Sequence, residues 1–243
     1  MHRGGFLTIF LVITGLTLLL DWYVYSGLKT LAIGWKSQRR KRGVLWGYLC
    51  LSIGVTALFL IGLGSFSTAK GMTPFHEWVL SLFLTFFITK IVFSLILLIG
   101  DIGRLLYGVG DNIVNHGKKE KIPYFPSRRK FISELAVLVA AVPFTGFLYG
   151  MFKGKYDYKL HRETLYFDDL PEAFDGFTIT QLSDIHSGSF DNSEAVQRGI
   201  DLAKAQKSDL FVFTGDLVNN AAWEIEPYIG HFKQLKAPYG QFS

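Results

Sequence analysis

Apolar residues crowd the first 152 positions in four blocks separated by short polar or basic connections, and the pattern then changes to brief apolar runs set between turn residues. A helix rising about 1.5 Å per residue needs about 20 apolar residues to cross about 30 Å of hydrocarbon. The blocks at 6–28, 44–66, 75–99 and 131–152 approach or exceed that length, so they predict four membrane-spanning helices. Beyond Lys153 the stretch "YDYKLHRETLYF" is rich in aromatic and β-branched residues and predicts a strand or hairpin, and "LPEAFDG" predicts a turn. "FTITQLS" reads as a buried strand, residues 192–207 as a helix capped by Asn192 or Ser193, and "DLFVFTG" as a second buried strand. The expected architecture is a multi-pass α-helical membrane module at 1–152, a connecting strand or hairpin at 153–175, and an α/β domain occupying 176–243. Its β-α-β crossover would set two parallel strands in one sheet with their carboxyl ends together, where open α/β sheets carry their chemistry.

Composition agrees with a membrane module, since 49% of the 243 residues are hydrophobic. The first block could be a secretory signal because Arg3 precedes it. No small-x-small cleavage site follows, however, and Asp21-Trp22-Tyr23 has the character of an interfacial edge, which favours a retained helix. Charge divides along the chain. Residues 1–130 hold 16 Lys and Arg against 5 Asp and Glu, and residues 131–243 hold 9 against 15. A basic membrane module followed by an acidic domain argues against a nucleic-acid partner and for the lipid bilayer. Connection 29–43 carries Lys29, Lys36, Arg39, Arg40, Lys41 and Arg42 without an acid, 67–74 carries only Lys70, and 101–130 carries seven basic residues against three acidic ones. The positive-inside rule then makes the first and third connections cytoplasmic and places both termini on the opposite face, with His2 and Arg3 as weak opposition.

Ionisable groups within lipid cost about 3 kcal/mol or more and often mark function. Lys90, near the middle of the third span, could pair with Asp21, face a polar path, or lie against neighbouring helices with its head snorkelling outward; Glu134 reads as an interfacial residue. The single cysteine, Cys50, excludes an intrachain disulfide and a cysteine-based zinc site. Ahead of the fourth span, Ser127, Arg128, Arg129, Lys130, Phe131 and Ile132 resemble the twin-arginine export motif, with isoleucine where leucine is usual. The same arginines also suit a plain positive-inside flank. Either reading puts the following domain outside the cytoplasm, and the first adds the twin-arginine export machinery as a partner.

Chemistry concentrates in "TQLSDIHSG" and "FTGDLVNN". In extended chain, residues i and i+2 project from one face, so Asp184 and His186 would point together at the carboxyl edge of the sheet, and Asp216 would arrive there from the second strand. Two carboxylates and an imidazole suit a divalent ion such as Mn²⁺, Fe²⁺ or Zn²⁺, and Gly215 lets the backbone turn tightly beside it.

"ITQLSDIHSG", a crossover of the right length and "LFVFTGDLVNN" together resemble the calcineurin-like metallophosphoesterase family, especially its membrane-anchored bacterial members, over residues 156–243. The resemblance implies a β-sandwich flanked by helices, two divalent metal ions, and hydrolysis of a phosphoester by metal-activated hydroxide. Asp184 and His186 would bind the first ion and Asp216 would bridge both. It also implies a multi-pass protein of the bacterial inner membrane. The family pattern continues through Gly-Asn-His-Asp/Glu, a further His and Gly-His-x-His, none of which occurs here; "LKAPYGQFS" resembles the start of the strand leading to the first of these. His2, His76, His116, His161 and His231 stand in no matching motif, and Asn219 and Asn220 replace an acid often found after Gly-Asp-x-x. The expectation is an amino-terminal or truncated phosphoesterase holding at most one ion weakly; the alternative is a catalytically inactive membrane-anchored remnant or interaction module. A sensor or transporter module has only Lys90 in its favour.

Overall fold

A computed structural model describes residues 3–66, 73–114 and 126–243, so His2, His116 and much of the third connection lie outside the described residues. Four long helices come first: α1 (Arg3–Leu31), α2 (Gln38–Phe66), α3 (Pro74–Val114) and α4 (Pro126–Phe152). Each contains a stretch long and apolar enough to cross a membrane. Several extend past the expected spans, most of all α3, because helical hydrogen bonding needs no apolar side chains and continues through Asp101 and Arg104. The described chain divides into two compact units, one of residues 3–66 and 78–149 and one of residues 73–77 and 150–243.

In the first unit, Val24 of α1, Phe93 and Leu97 of α3, and Ala136 and Ala140 of α4 form one buried cluster. Val55 and Phe59 of α2 pack with Val79 and Phe83 of α3 in another. Small residues admit close helix approach, which drives packing in lipid. A Cβ on Gly27 would stand 2.7 Å from Leu97 Cδ1, so only glycine fits there without displacement. Leu11, Leu19, Trp46, Ile99 and Leu138 stay exposed, as an apolar solvent permits. Buried hydroxyls turn back on their own helices: Thr17, Thr56 and Thr85 donate to the carbonyls of Ile13, Ser52 and Ser81 at 2.8, 2.9 and 2.8 Å.

Lys90 is paired. Its Nζ lies 2.8 Å from Asp21 Oδ1 and donates to Ser52 Oγ at 2.5 Å, while Tyr48 and Ser52 each donate to Asp21 Oδ1 at 2.7 Å. The cluster therefore ties α1, α2 and α3, and Asp21 and Lys90 are each only 5% exposed. A second tie joins α1, α3 and α4: Tyr23 donates to Asp101 Oδ2 at 2.9 Å, and Arg129 donates to Ser26 Oγ at 3.1 Å, 3.8 Å from Asp101. Glu134 meets Lys130 at 3.9 Å on an exposed face.

The second unit contains β1 (Ile179–Leu182), α5 (Ser193–Lys204), β2 (Leu210–Phe213), the short α6 (Ile229–Phe232) and β3 (Gln241–Phe242). Its three strands are parallel in the order β1-β2-β3, with Leu182 opposite Phe213 and Phe211 opposite Gln241. Asn192, rather than Ser193, caps α5 by accepting from the Ala195 amide at 3.0 Å. Ala195, Val196, Ile200 and Ala203 form the buried face of this helix, and Ile200 and Ala203 join Phe211 and Leu235 in the core.

The strand or hairpin expected at 153–175 is not formed. That segment holds 3₁₀ turns at Gly154–Tyr156 and Glu172–Phe174 and a turn closed by Leu170 N donating to Phe167 O at 3.4 Å, with no strand. A strand must pair its backbone, and among the described residues β1 pairs only with β2. Without a sheet face to cover, Leu165, Tyr166 and Phe167 remain exposed. Tyr158 instead lies over Gly199 of α5, where a Cβ would come within 2.8 Å of its ring.

Candidate metal centre

The parallel pairing of β1 with β2 brings both strand ends to one edge, and the ladder continues through Thr214 N donating to Leu182 O at 3.0 Å. Gln181 Nε2 also donates to Thr214 Oγ1 at 2.6 Å. Two loops leave this edge. They are joined by main-chain bonds, His186 N donating to Asp216 O at 2.7 Å and Ser187 N to Leu217 O at 3.1 Å. The donor atoms of Asp184, His186 and Asp216 consequently all lie within 4.8 Å of one another. His186 Nε2 is 3.6 Å from Asp216 Oδ2.

Their convergence does not arise from strand alternation as expected. β1 ends at Leu182, and Asp184 and His186 occupy the left-handed region at φ 53° and 44°, as does Asp216 at φ 40°. Aspartate and histidine enter that region more readily than most residues, yet such geometry persists only where surroundings enforce it. Two non-extended turns with one residue between them restore the shared direction that an extended chain would have supplied. Gly215 has φ 143°, outside the range for a side-chain-bearing residue, and no atom lies within 4 Å of where its Cβ would be, which leaves open space beside Asp216.

The three groups fit one divalent ion. They offer two carboxylate oxygens and one imidazole nitrogen, a set suited to Mn²⁺, Fe²⁺ or Zn²⁺. Metal–ligand bonds of about 2.0–2.2 Å place donors about 3–4 Å apart, so small side-chain rotations close the cluster on an ion. Asp184 is partly committed, since Ser183 Oγ donates to its Oδ2 at 2.5 Å. His186 and Asp216 retain 45% and 68% side-chain exposure, which leaves them open to an incoming ligand.

A supporting layer lies behind the cluster. Glu224 is 5% exposed and accepts from the amides of Asn219 and Asn220 at 2.7 and 3.1 Å, bracing the loop that carries Asp216. Asn219 Nδ2 then donates to Ser189 Oγ at 2.9 Å, linking the two loops again. A Cβ on Gly188 would stand 2.5 Å from Glu224 Oε2, so a side chain here would displace the Glu224 carboxylate from its place behind the loop. Asn219 and Asn220 are legible beside the site from the Gly-Asp-x-x spacing, but Glu224 is not: it shares its stretch with Glu226, and nothing in the sequence distinguishes the two acids. Ser187 Oγ is buried and has no hydrogen-bond partner among the described residues.

The other described histidines lie elsewhere. His76 Nδ1 contacts Thr73 Oγ1 at 2.6 Å, His231 contacts Ser193 Oγ and Gln197 Oε1 at 2.8 and 2.6 Å, and His161 is exposed. Beside Asp216 an open, mainly apolar groove of about 940 Å³ runs past Phe213, Ile229 and Phe232 toward Gln241.

Comparison with known proteins bears on both units. Residues 5–155 match the family model described as "Probable Calcineurin-like phosphoesterase, transmembrane domain", and residues 177–239 match that for calcineurin-like phosphoesterases. The chain is 30% identical over 120 residues to the uncharacterized metallophosphoesterase YkuE of Bacillus subtilis, covering 47% of this chain and 42% of that protein. It is 26% identical over 199 residues to an uncharacterized metallophosphoesterase of Helicobacter pylori strain 26695, covering 82% of this chain and 47% of the relative. The chain thus spans about half the length of the curated relatives it matches. No solved structure gives a significant match.

Proposed function

The chain belongs to the calcineurin-like phosphoesterases that carry a four-helix transmembrane domain, and on that premise we propose that it forms the membrane anchor and first metal-binding half of a divalent-metal-dependent phosphoesterase. The observation that carries this reading is the convergence of Asp184, His186 and Asp216 through three left-handed residues. By family likeness Asp184 and His186 would hold one ion, and Asp216 would serve that ion and a second. A bound metal of this kind supplies hydroxide at neutral pH and neutralises charge on phosphate oxygens. The residues of this chain contribute position: the bonds from His186 N and Ser187 N keep both loops in register, and Glu224 holds the second loop from behind. Three protein donors satisfy one ion incompletely, so this chain by itself should bind a single metal weakly and turn over phosphodiesters poorly.

Cobalt titration of the detergent-purified chain tests this, because Co²⁺ reports its own coordination by visible absorption. Asp184→Ala, His186→Ala and Asp216→Ala should each weaken binding about a hundredfold. Unchanged Co²⁺ affinity in all three variants would remove the metal reading and leave a non-catalytic interaction module as the better account. The phosphoester substrate is proposed from the family alone.

The basic connections support an orientation with the phosphoesterase unit outside the cytoplasm, and the likeness to bacterial relatives supports the inner membrane as the place. An export-dependent reporter fused behind Lys155 should be active, and an inactive one reverses the orientation. Arg128 and Arg129 could still address the twin-arginine machinery, although the engagement of Arg129 with Ser26 and its proximity to Asp101 favour a packed flank. Arg128→Lys with Arg129→Lys keeps the charge; continued export of the reporter in that variant excludes the machinery as a requirement.

A further inference from the structure

The chain leaving α4 returns at once to the loop that carries His186. Lys155 Nζ donates to Ser189 O at 3.1 Å and to Asp191 Oδ2 at 2.6 Å. Tyr156 does more. Its hydroxyl accepts from the amides of Asp191 and Asn192 at 2.8 and 3.0 Å and donates to Asp191 Oδ1 at 2.9 Å. One side chain thereby uses its donor and both acceptor positions on a two-residue stretch of backbone. Burial first, and then the bond to Asp191, outweigh the two amides and hold the Tyr156 phenol above its usual pKa, so it remains a donor.

From Asp191 the connection to the metal loop is short. Ser189 N donates to His186 O at 2.9 Å and Phe190 N to Ser187 O at 3.1 Å, closing the turn that follows His186. The Phe190 ring lies 6.2 Å from Tyr156 and 5.1 Å from Tyr228, and Tyr228 donates to Phe190 O at 3.1 Å. The turn at Ser187–Ser189 is therefore held on one side by Asn219 and on the other by Lys155 and Tyr156. His186, at φ 44°, has a conformation that needs such external restraint.

We infer that Lys155 and Tyr156 are positioning residues for the metal centre: the segment leaving the membrane helix clamps residues 189–192, and this clamp holds His186 in its ligating conformation. The inference deepens the metal reading above and rests on it for its chemistry, though not for its geometry. It means that the segment at Lys155 and Tyr156, within the second unit, is also a structural part of the site. A free-standing unit lacking Lys155 and Tyr156 would carry the same three ligands in a looser arrangement.

Tyr156→Phe keeps the ring against Phe190 and deletes only the hydroxyl, so the variant should fold. In the full chain held in nanodiscs, hydrogen exchange read by mass spectrometry should accelerate about tenfold in peptides covering 189–193 and about fivefold in those covering 184–188. Co²⁺ affinity should fall about fivefold to tenfold. Tyr158→Phe, whose ring covers Gly199 instead, should leave both measurements at the wild-type level. Faster exchange at 189–193 with wild-type exchange at 184–188 would overturn the inference, because the clamp would then stop short of His186. A merely structural tyrosine would lower the unfolding temperature without changing exchange at 184–188 or Co²⁺ affinity well below the transition. The two readings can fail separately: if Asp184→Ala leaves Co²⁺ binding intact, the metal assignment fails while the exchange comparison still decides the clamp.

Discussion

Two polar clusters of similar size serve opposite ends in this chain. In the membrane unit, Asp21, Tyr48, Ser52 and Lys90 are matched donor to acceptor, and the charged pair is sealed from its surroundings. In the second unit, Asp184, His186 and Asp216 lie within 4.8 Å of one another, partly exposed, with two carboxylates, no Lys or Arg ion pair among the described residues and left-handed backbones. A satisfied network has already used its bonding capacity, so it fixes helix register. An unsatisfied and strained one retains that capacity for something still to arrive. Ionisable side chains alone would have ranked Lys90 above Asp216 as a functional candidate. Their partners reverse the ranking.

The largest effect that could break this contrast is expected in the membrane. Lys90→Met leaves Asp21 buried without its cation and should destabilise the helical unit by about 3–5 kcal/mol. Lys90→Met combined with Asp21→Leu removes both charges and should recover most of that loss, leaving Tyr48 and Ser52 as the residual cost. Unfolding in mixed micelles, followed by helical circular dichroism, measures both. If the double variant is as unstable as the single one, or if Lys90→Met alone retains full stability, the pair is not a register clamp and Lys90 regains its interest as a functional group.

A smaller effect of opposite sign is expected in the metal centre. Asp216→Asn keeps the shape and the tolerance for a left-handed backbone while removing a charge beside Asp184. Because Asp216 is largely exposed, the relief is screened, and the metal-free unit should gain no more than about 0.5 kcal/mol. Co²⁺ affinity should nevertheless fall steeply. Thermal unfolding with and without metal separates the two effects; a clear loss of metal-free stability would show that Asp216 is a structural residue.

How much of this could be read in advance follows the same division. Span length and apolar content are local properties, so four helices were legible from residues 6–152, and short apolar runs flanked by turns disclosed the β-α-β arrangement. The residues of the metal cluster were legible as types, but not the way they meet. Strand alternation was the wrong reason, because β1 ends before Asp184 and the left-handed backbone at His186 is held by main-chain bonds from His186 and Ser187 to Asp216 and Leu217, a distant part of the chain. The pairing of Lys90 with Asp21 stood among several open options, since only helix packing selects the partner. "YDYKLHRETLYF" had the composition of a strand without a neighbour to pair with, and composition cannot report a missing neighbour. The clamp at Lys155 and Tyr156 was invisible for a related reason: its partners lie some 35 residues away and are mostly main-chain groups.

The smallest effect concerns that clamp and depends on pH. Burial pushes the Asp191 carboxyl up, but the hydrogen bonds from Lys155 and Tyr156 and the Lys155 charge outweigh it and hold the group below the usual aspartate value. A carboxyl whose pKa is lower in the folded state binds its proton more weakly there than in the unfolded chain. Its contribution to stability is therefore fully present above the unfolded value of about 3.9 and is lost as pH falls through the folded value. Asp209 is also held low, by the Thr178 amide and hydroxyl, so the acid limb of the wild-type curve has more than one source. The difference between wild type and Asp191→Asn isolates the clamp: it should be constant from pH 7 down to about pH 4 and shrink below that. A difference curve for Asp191→Asn that stays flat to pH 2.5 would show that Lys155 and Tyr156 do not favour the charged carboxylate, leaving the clamp to the two amides on the Tyr156 hydroxyl alone.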